Sequence, residues 1–289
     1  MNLPENDNWT YCITDVEDRV NYFTVPKVVR TFPEFMLVDV VTGDSDPVYY
    51  AVARASKRWG KPWATRFSVA MLAYYHTGVA VKAADYEGLD FWKHLSDIYP
   101  TAPRGSERRH FRADLGKWAL ASMEKYAPNP DDFFDNFGQT YLSIRSTCEA
   151  RLVQFGPYFQ LKICDFMDRC LEIPILSFAG LEKNLPTEPA KAVGLMFPGK
   201  QVSTAFLDLC KQMESYNIPA PPRFDRPCGP AEVETSLCGW KTTKYKGNWF
   251  GADIIEKREA LKGYGDKARL LADMMPQIRN KSDFKLELV

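Results

Sequence analysis

Tyr141-Leu-Ser-Ile-Arg-Ser-Thr-Cys-Glu-Ala-Arg-Leu-Val153 and Tyr158-Phe-Gln-Leu-Lys-Ile-Cys-Asp-Phe-Met-Asp-Arg-Cys-Leu171 are separated only by Gln154-Phe155-Gly156-Pro157. Apolar residues return every three or four positions in both runs, which is the period of a helix. Between them, glycine permits a sharp reversal, and Pro157 suits a first helical position because its fixed φ is helical and its missing N–H is not needed there. The spacing predicts a helix, a tight turn and a second helix.

The same period extends outward in both directions. Phe67, Ala70, Met71, Tyr74 and Tyr75 share one face between Trp63 and Tyr75, with Gly78 as a stop. Leu115, Trp118, Ala119, Met123 and Tyr126 repeat the pattern before Pro128, and Pro130-Asp131-Asp132 opens another helix. Further helices are expected near Ser203 to Met213, Pro230 to Trp240, Asp253 to Leu261 and Lys267 to Ile278. Phe35 to Val41 is the best strand candidate, and alternating β-α units are absent from the pattern. The expected class is mainly α with few or no strands. Residues 1–60 are read as an N-terminal segment packed on the core and residues 61–289 as one helical domain, with Pro219 to Pro230 as a linker or functional loop.

Composition narrows the partners. A chain of 289 residues with 45% apolar and 26% charged side chains is neither collagen-like nor wholly disordered. Its 37 basic residues balance 37 acidic ones, so attraction to a polyanion must come from placement rather than net charge. No apolar run approaches the roughly 20 residues of a membrane span, and the acidic, Asn-rich start lacks the features of a signal peptide. A cytoplasmic protein is expected. Seven scattered cysteines without a C-x-x-C pair, and three scattered histidines, suggest neither a disulfide framework nor a dedicated metal site.

Several stretches could carry chemistry. Gly194-Leu-Met-Phe-Pro-Gly199-Lys200-Gln201 nearly spells a phosphate-binding loop, but Gln201 replaces the magnesium-holding hydroxyl and Pro198 removes an N–H donor. It reads as an ordinary loop. Pro103-Arg104-Gly105-Ser106-Glu107-Arg108-Arg109-His110-Phe111-Arg112 gathers four arginines and one histidine against a single acid within ten residues. A helix starting near Ser106 would let several guanidinium groups meet one dianion; the plainer reading is a solvated helix start. The Phe155-Gly156-Pro157-Tyr158 turn suits a DNA phosphate at the following helix start, or is simply an αα-hairpin. Asp165 lies beside the apolar stripe of Leu161, Cys164 and Leu171, where it needs a partner; Lys162 at i−3 and Arg169 at i+4 are both in reach. It is either a structural ion-pair member or a general base. From Glu232 through Leu237-Cys238-Gly239-Trp240-Lys241 to Trp249-Phe250-Gly251-Ala252-Asp253, basic and aromatic residues interleave as they do where bases stack.

Taken together, P-R-G-x-E-R-R-H-x-R at Pro103 to Arg112, F-G-P-Y-x-x-x-K-x-x-D at Phe155 to Asp165, and L-C-x-W-K with a downstream G-x-D at Leu237 to Asp253 resemble a phage family. It is the amino acid:DNA transferases of thymidine hypermodification, also described as α-glutamyl/putrescinyl-thymine pyrophosphorylases, and the resemblance spans roughly residues 60 to 262. The resemblance implies a helical fold related to helix-hairpin-helix DNA glycosylases, with Gly156 at the hairpin. It further implies double-stranded phage DNA carrying 5-hydroxymethyluracil phosphorylated by a kinase, with the phosphate replaced by glycine, serine, glutamate or a polyamine in the infected host's cytoplasm. No cofactor and no metal are implied. On this reading Arg108, Arg109 and Arg112 meet the leaving phosphate or the DNA backbone, with Arg104 as an outer contact. His110 or Asp165 moves the proton; Lys162 and Lys241 hold phosphate or an incoming carboxylate; Tyr158, Trp240 and Trp249 stack on a base turned out of the duplex. The hairpin has one glycine where the glycosylase form has two, and no Lys and Asp pair falls at glycosylase spacing, which argues against base excision. The alternatives are a glycosylase and a non-catalytic DNA-binding module.

Overall fold

The structure is a computed structural model that describes residues 9–25, 28–108, 114–246, 250–278 and 285–286. It is mainly helical, and the chain divides into two compact units. One comprises residues 1–50, 180–256 and 274–289, the other residues 51–179 and 257–273. The first fifty residues therefore cluster with 180–256, and the expected boundary at residue 60 falls inside the other unit.

The second unit is built on helix Lys61–Tyr74, in which every residue from Trp63 onward is buried. A helix apolar on all sides belongs in a core. Its one arginine, Arg66, stays inside by donating to the Ala84 carbonyl at 3.0 Å and to the Asp131 carboxylate at 3.1 Å. Tyr75 ends the helix in the left-handed region at φ 51°, and His76 caps the next helix, Thr77–Ala83, by accepting from the Val79 N–H through Nδ1. Gly78 is pressed against another segment, because a Cβ there would lie 2.4 Å from the Ala260 carbonyl oxygen.

The expected hairpin is present. Thr140 and Ser143 form a reciprocal cap at the start of helix Tyr141–Arg151, and Gln154, at φ 65°, turns the chain. Gly156 then caps helix Pro157–Asp165, with Pro157 at its first position. This helix runs on into a five-residue π-helix, Phe166–Cys170, whose residues are all buried.

In the first unit the segment expected as a strand, Phe35 to Val41, lies within helix Phe32–Thr42. Local signals decide it. Thr31 and Glu34 cap one another's backbone at the start, Pro33 sits in the first turn, and Gly43 closes the end at φ 70°. Because residues 38–42 are all buried, neither a helical stripe nor a strand alternation is visible in the run. The helix meets Pro230–Lys246 through Phe32 and Phe35, both edge-on to Trp240.

Strands are few. Trp9–Thr14 and Val20–Val25 pair antiparallel with Trp9 opposite Val25, and Gln277–Ile278 joins the other edge of Trp9–Thr14. Val28–Val29 pairs in parallel with Lys285–Leu286. In the near-P-loop, Gly194 falls inside helix Thr187–Met196 and Gly199 in the turn before Val202–Glu214, so no strand leads into it.

Replacing Gly78 by Ala should destabilise the protein by about 1–3 kcal/mol, the usual cost of overpacking against fixed backbone. Gly156→Ala, with nothing within 4 Å of the added methyl and an ordinary φ of −73°, should leave the urea midpoint nearly unchanged. Equal loss in the two variants would contradict the packing described for Gly78.

Candidate active site

The described parts of the basic stretch and the hairpin come together in the second unit. Gly105 donates its N–H to the Tyr74 carbonyl at 3.0 Å, and any Cβ at that position would lie 2.3 Å from the Tyr75 carbonyl oxygen. Only glycine fits so close an approach. Arg104 lies over the Tyr99 ring at 4.4 Å and bonds the Tyr99 carbonyl. Ser106–Arg108 forms a single 3-10 turn at the place where a helix start was expected.

Arg108 points inward and is 2% exposed. Its guanidinium donates to the carbonyls of Leu72 at 2.6 Å and Gln154 at 3.0 Å, and lies 3.2 Å from the centroid of the Phe159 ring. Burial pushes its pKa well down, with the phenols of Tyr158 and Tyr75 pulling the other way. The side chain thus fastens helix Lys61–Tyr74 to the hairpin turn.

Beside it runs a line of polar contacts. The Tyr158 hydroxyl donates to that of Tyr75 at 2.7 Å, and the Lys162 ammonium lies 5.6 Å from the Tyr158 ring centroid. Lys162 in turn donates to Asp165 Oδ2 at 2.9 Å, with side-chain exposures of 5% and 1%. Of the two cations in reach of Asp165, Lys162 is therefore bonded to it at one end of the line. Burial, and then the neighbouring Tyr75, raise the Tyr158 pKa well above the usual phenol range, so it stays a hydroxyl at neutral pH. A buried ion pair is poor evidence of stabilisation, since desolvation offsets most of its attraction. Its retention next to an exposed turn fits a group that handles charge or protons.

Other expected residues lie elsewhere. Trp240 and Lys241 belong to the first unit. There the Trp240 ring is buried against Phe32 and Phe35, and Lys241 pairs with Glu188, whose carboxyl it and Lys191 pull down to about 2. Arg109, His110, Arg112 and Trp249 lie outside the described residues. Tyr75 was read only as part of an apolar face; a tyrosine just ahead of a helix stop carries no pattern that announces a left-handed, hydrogen-bonded residue. Among the described residues no group of three or more His, Cys, Asp or Glu side chains is arranged to hold a metal ion, and no helix is long and apolar enough to cross a membrane.

No family model matches the chain. It is, however, 31% identical to a putrescinyltransferase of Delftia phage PhiW-14, over 82% of this chain and 80% of that protein. The chain belongs to the phage transferases of thymidine hypermodification. A glycinyltransferase of Pseudomonas phage PaMx11 is 27% identical over 76% of this chain and 86% of its own length. In this chain the hairpin buries Arg108, Lys162 and Asp165 together beside Tyr158.

Lys162→Met should cost about 3–5 kcal/mol in denaturant unfolding, because Asp165 is left charged and buried without its bonded cation. Adding Asp165→Leu in the same chain should recover most of that loss. No recovery in the double variant would mean that the pair stabilises the fold directly.

Proposed function

We propose that this transferase joins an amine to phosphorylated 5-hydroxymethyluracil in phage DNA, after a kinase has esterified the hydroxymethyl group, in the cytoplasm of the infected host. A new bond forms between the amine nitrogen and the 5-methylene carbon, the carbon–oxygen bond to phosphate breaks, and the nitrogen gives up a proton. Phosphate is a far better leaving group than hydroxide, and its departure is eased by cations aimed at the developing charge. The single observation that carries the reading is the buried Lys162–Asp165 pair, in the helix that starts at the exposed Gly156 turn, in a chain of this family.

Each residue type has a task in that scheme. N–H groups at the start of helix Pro157–Asp165 donate to a DNA phosphate, and the exposed Gly156 lets the backbone approach. Arg108 acts as a positioning residue that anchors the start of the basic stretch, while Arg109 and Arg112 meet phosphate and Arg104 stands further out. Asp165 or His110 takes the proton, with Lys162 setting the charge of Asp165. A base must leave the stack to be reached, and Tyr158 is the ring assigned to stack on it.

Mass spectrometry of nucleosides, after incubation of the protein with kinase-treated DNA and a mixture of amino acids and polyamines, should reveal a heavier thymidine derivative and release of inorganic phosphate. Abasic sites in place of a heavier nucleoside would instead indicate a glycosylase. Arg109→Ala should lower kcat/KM by about 100-fold or more, the usual cost of removing one donor to a developing anion. An undiminished rate would remove that residue from the scheme.

A further inference from the structure

The first unit holds a small acidic cavity, of about 50 Å³, that the reading above leaves unused. Its walls come from four places. Helix Phe32–Thr42 gives Phe35 and Asp39, the segment after Gly43 gives Asp44, and the start of helix Ala252–Glu259 gives Asp253. Helix Pro230–Lys246 closes it with Thr235, Gly239 and Thr242. Among its described lining residues there is no lysine, arginine or histidine.

Asp39 is 3% exposed, and its Oδ2 finds no hydrogen-bond donor among the described residues. Thr235 Oγ1, also buried, is in the same condition. Buried carboxylates without a donor are costly, and each such group in a native fold asks for an explanation. Gly239 keeps the space beside Asp39 open; a Cβ there would come 3.3 Å from the Phe35 ring and 3.6 Å from Asp39 Oδ2. Asp44 is differently placed, since its Oδ1 accepts the Ile254 N–H at 3.2 Å and so caps the Ala252–Glu259 helix.

A cavity with carboxylate and hydroxyl acceptors, net negative walls and no cation among its described lining residues matches one small group well. An alkylammonium brings three N–H donors, no acceptor and one positive charge. The volume suits that group with its adjoining methylene, given that a water molecule takes about 30 Å³. A free amino acid fits less well, because its carboxylate would be carried toward several aspartates with no cation among the walls to meet it.

Resting on the amine-transfer reading, we propose that this cavity binds one ammonium end of the amine donor, through Asp39 and Thr235 with Asp44 and Asp253 supplying charge, and so selects a diamine over an amino acid. Binding is coupled to a proton. Burial, followed by the charge of Asp44, holds the empty Asp39 well above the usual carboxylate range, with the Ser236 hydroxyl pulling the other way; Asp253 and Asp46 are the further charges facing it. Asp44 is itself pushed up to about 6 by burial, against the backbone N–H groups it accepts. An entering cation favours the ionised carboxylate, so a proton leaves as the diamine binds.

The test needs neither DNA nor turnover. Titration calorimetry of the full chain with 1,4-diaminobutane at pH 7, in two buffers of different ionisation enthalpy, should show saturable binding with net proton release. Glycine should bind at least about tenfold more weakly, and Asp39→Asn should weaken the diamine about tenfold or more, as expected when one partner of a buried charge pair is removed. Without ligand, Asp39→Asn should melt above the wild type, by a margin that grows from pH 5 to pH 8. The sign follows from linkage: a carboxyl whose folded pKa is raised stabilises the fold at low pH and loses that contribution as pH rises through the folded value. Absence of saturable binding, equal binding of glycine, or preference for magnesium over the diamine would overturn the proposal. The transfer reaction would stand or fall separately, on the nucleoside products.

Discussion

Two cations, Arg108 and Lys162, are buried within a few residues of the same hairpin, and the shape of the second unit follows from how they are held. A guanidinium resists deprotonation, so burial forces it to gather acceptors and aromatic faces instead. Arg108 finds the carbonyls of Leu72 and Gln154 and the faces of Phe159 and Phe155. Those contacts belong to the end of helix Lys61–Tyr74, the hairpin turn and the first turns of helix Pro157–Asp165. One side chain therefore sets the relation between the core helix and the turn that reaches solvent.

Tyr75 shows what that arrangement costs. A non-glycine residue in the left-handed region is strained, and such strain persists only where neighbours over-determine it. Here the Tyr75 N–H closes on the Met71 carbonyl, its hydroxyl receives that of Tyr158, and the Lys257 ammonium lies 5.3 Å from its ring centroid. Gly105 packs against its carbonyl at a distance that admits no Cβ. The conformation brings the phenol to Tyr158, which a helical continuation at that point would direct elsewhere.

Much of this was legible in the residues themselves, and the failures have physical causes. The hairpin announced itself because proline, glycine and a helical period acted within thirty residues. The need of Asp165 for a cation was legible too, and Lys162, one of the two in reach, donates to it. Phe35 to Val41 misled because residues 38–42 are buried without a break and show no period; the Thr31 and Glu34 cap just before the segment was the stronger signal. The inward turn of Arg108 was invisible, since a run of arginines reads as a surface feature whichever member is buried. Asp39, Asp44 and Asp253 could not be grouped from sequence, because more than two hundred residues separate the first from the last. Asp253 stands within a motif and Asp39 inside the expected strand Phe35 to Val41, but nothing in either context joins them.

The π-turn after Asp165 explains a further gap between pattern and structure. An α-helix cannot bury five consecutive side chains beside one another on a single face, because each residue advances about 100° around the axis. Yet Phe166, Met167, Asp168, Arg169 and Cys170 are all buried, so the segment is enclosed on every side, polar members included. The wider turn inserts one residue relative to the α register, and such insertions cluster where a fold trades regularity for the placement of a particular group. Asp165 is the last residue of the regular helix, and the Leu171 N–H closes back to the Phe166 carbonyl. The carboxylate that Lys162 holds therefore sits at the junction, fixed from the N-terminal side by an i,i+3 ion pair and from the C-terminal side by a segment with no freedom to turn outward. Asp165 before the irregularity and Leu171 after it are both buried, at 1% and 2% exposure, so the wider turn accommodates its extra residue without bringing either flank to solvent.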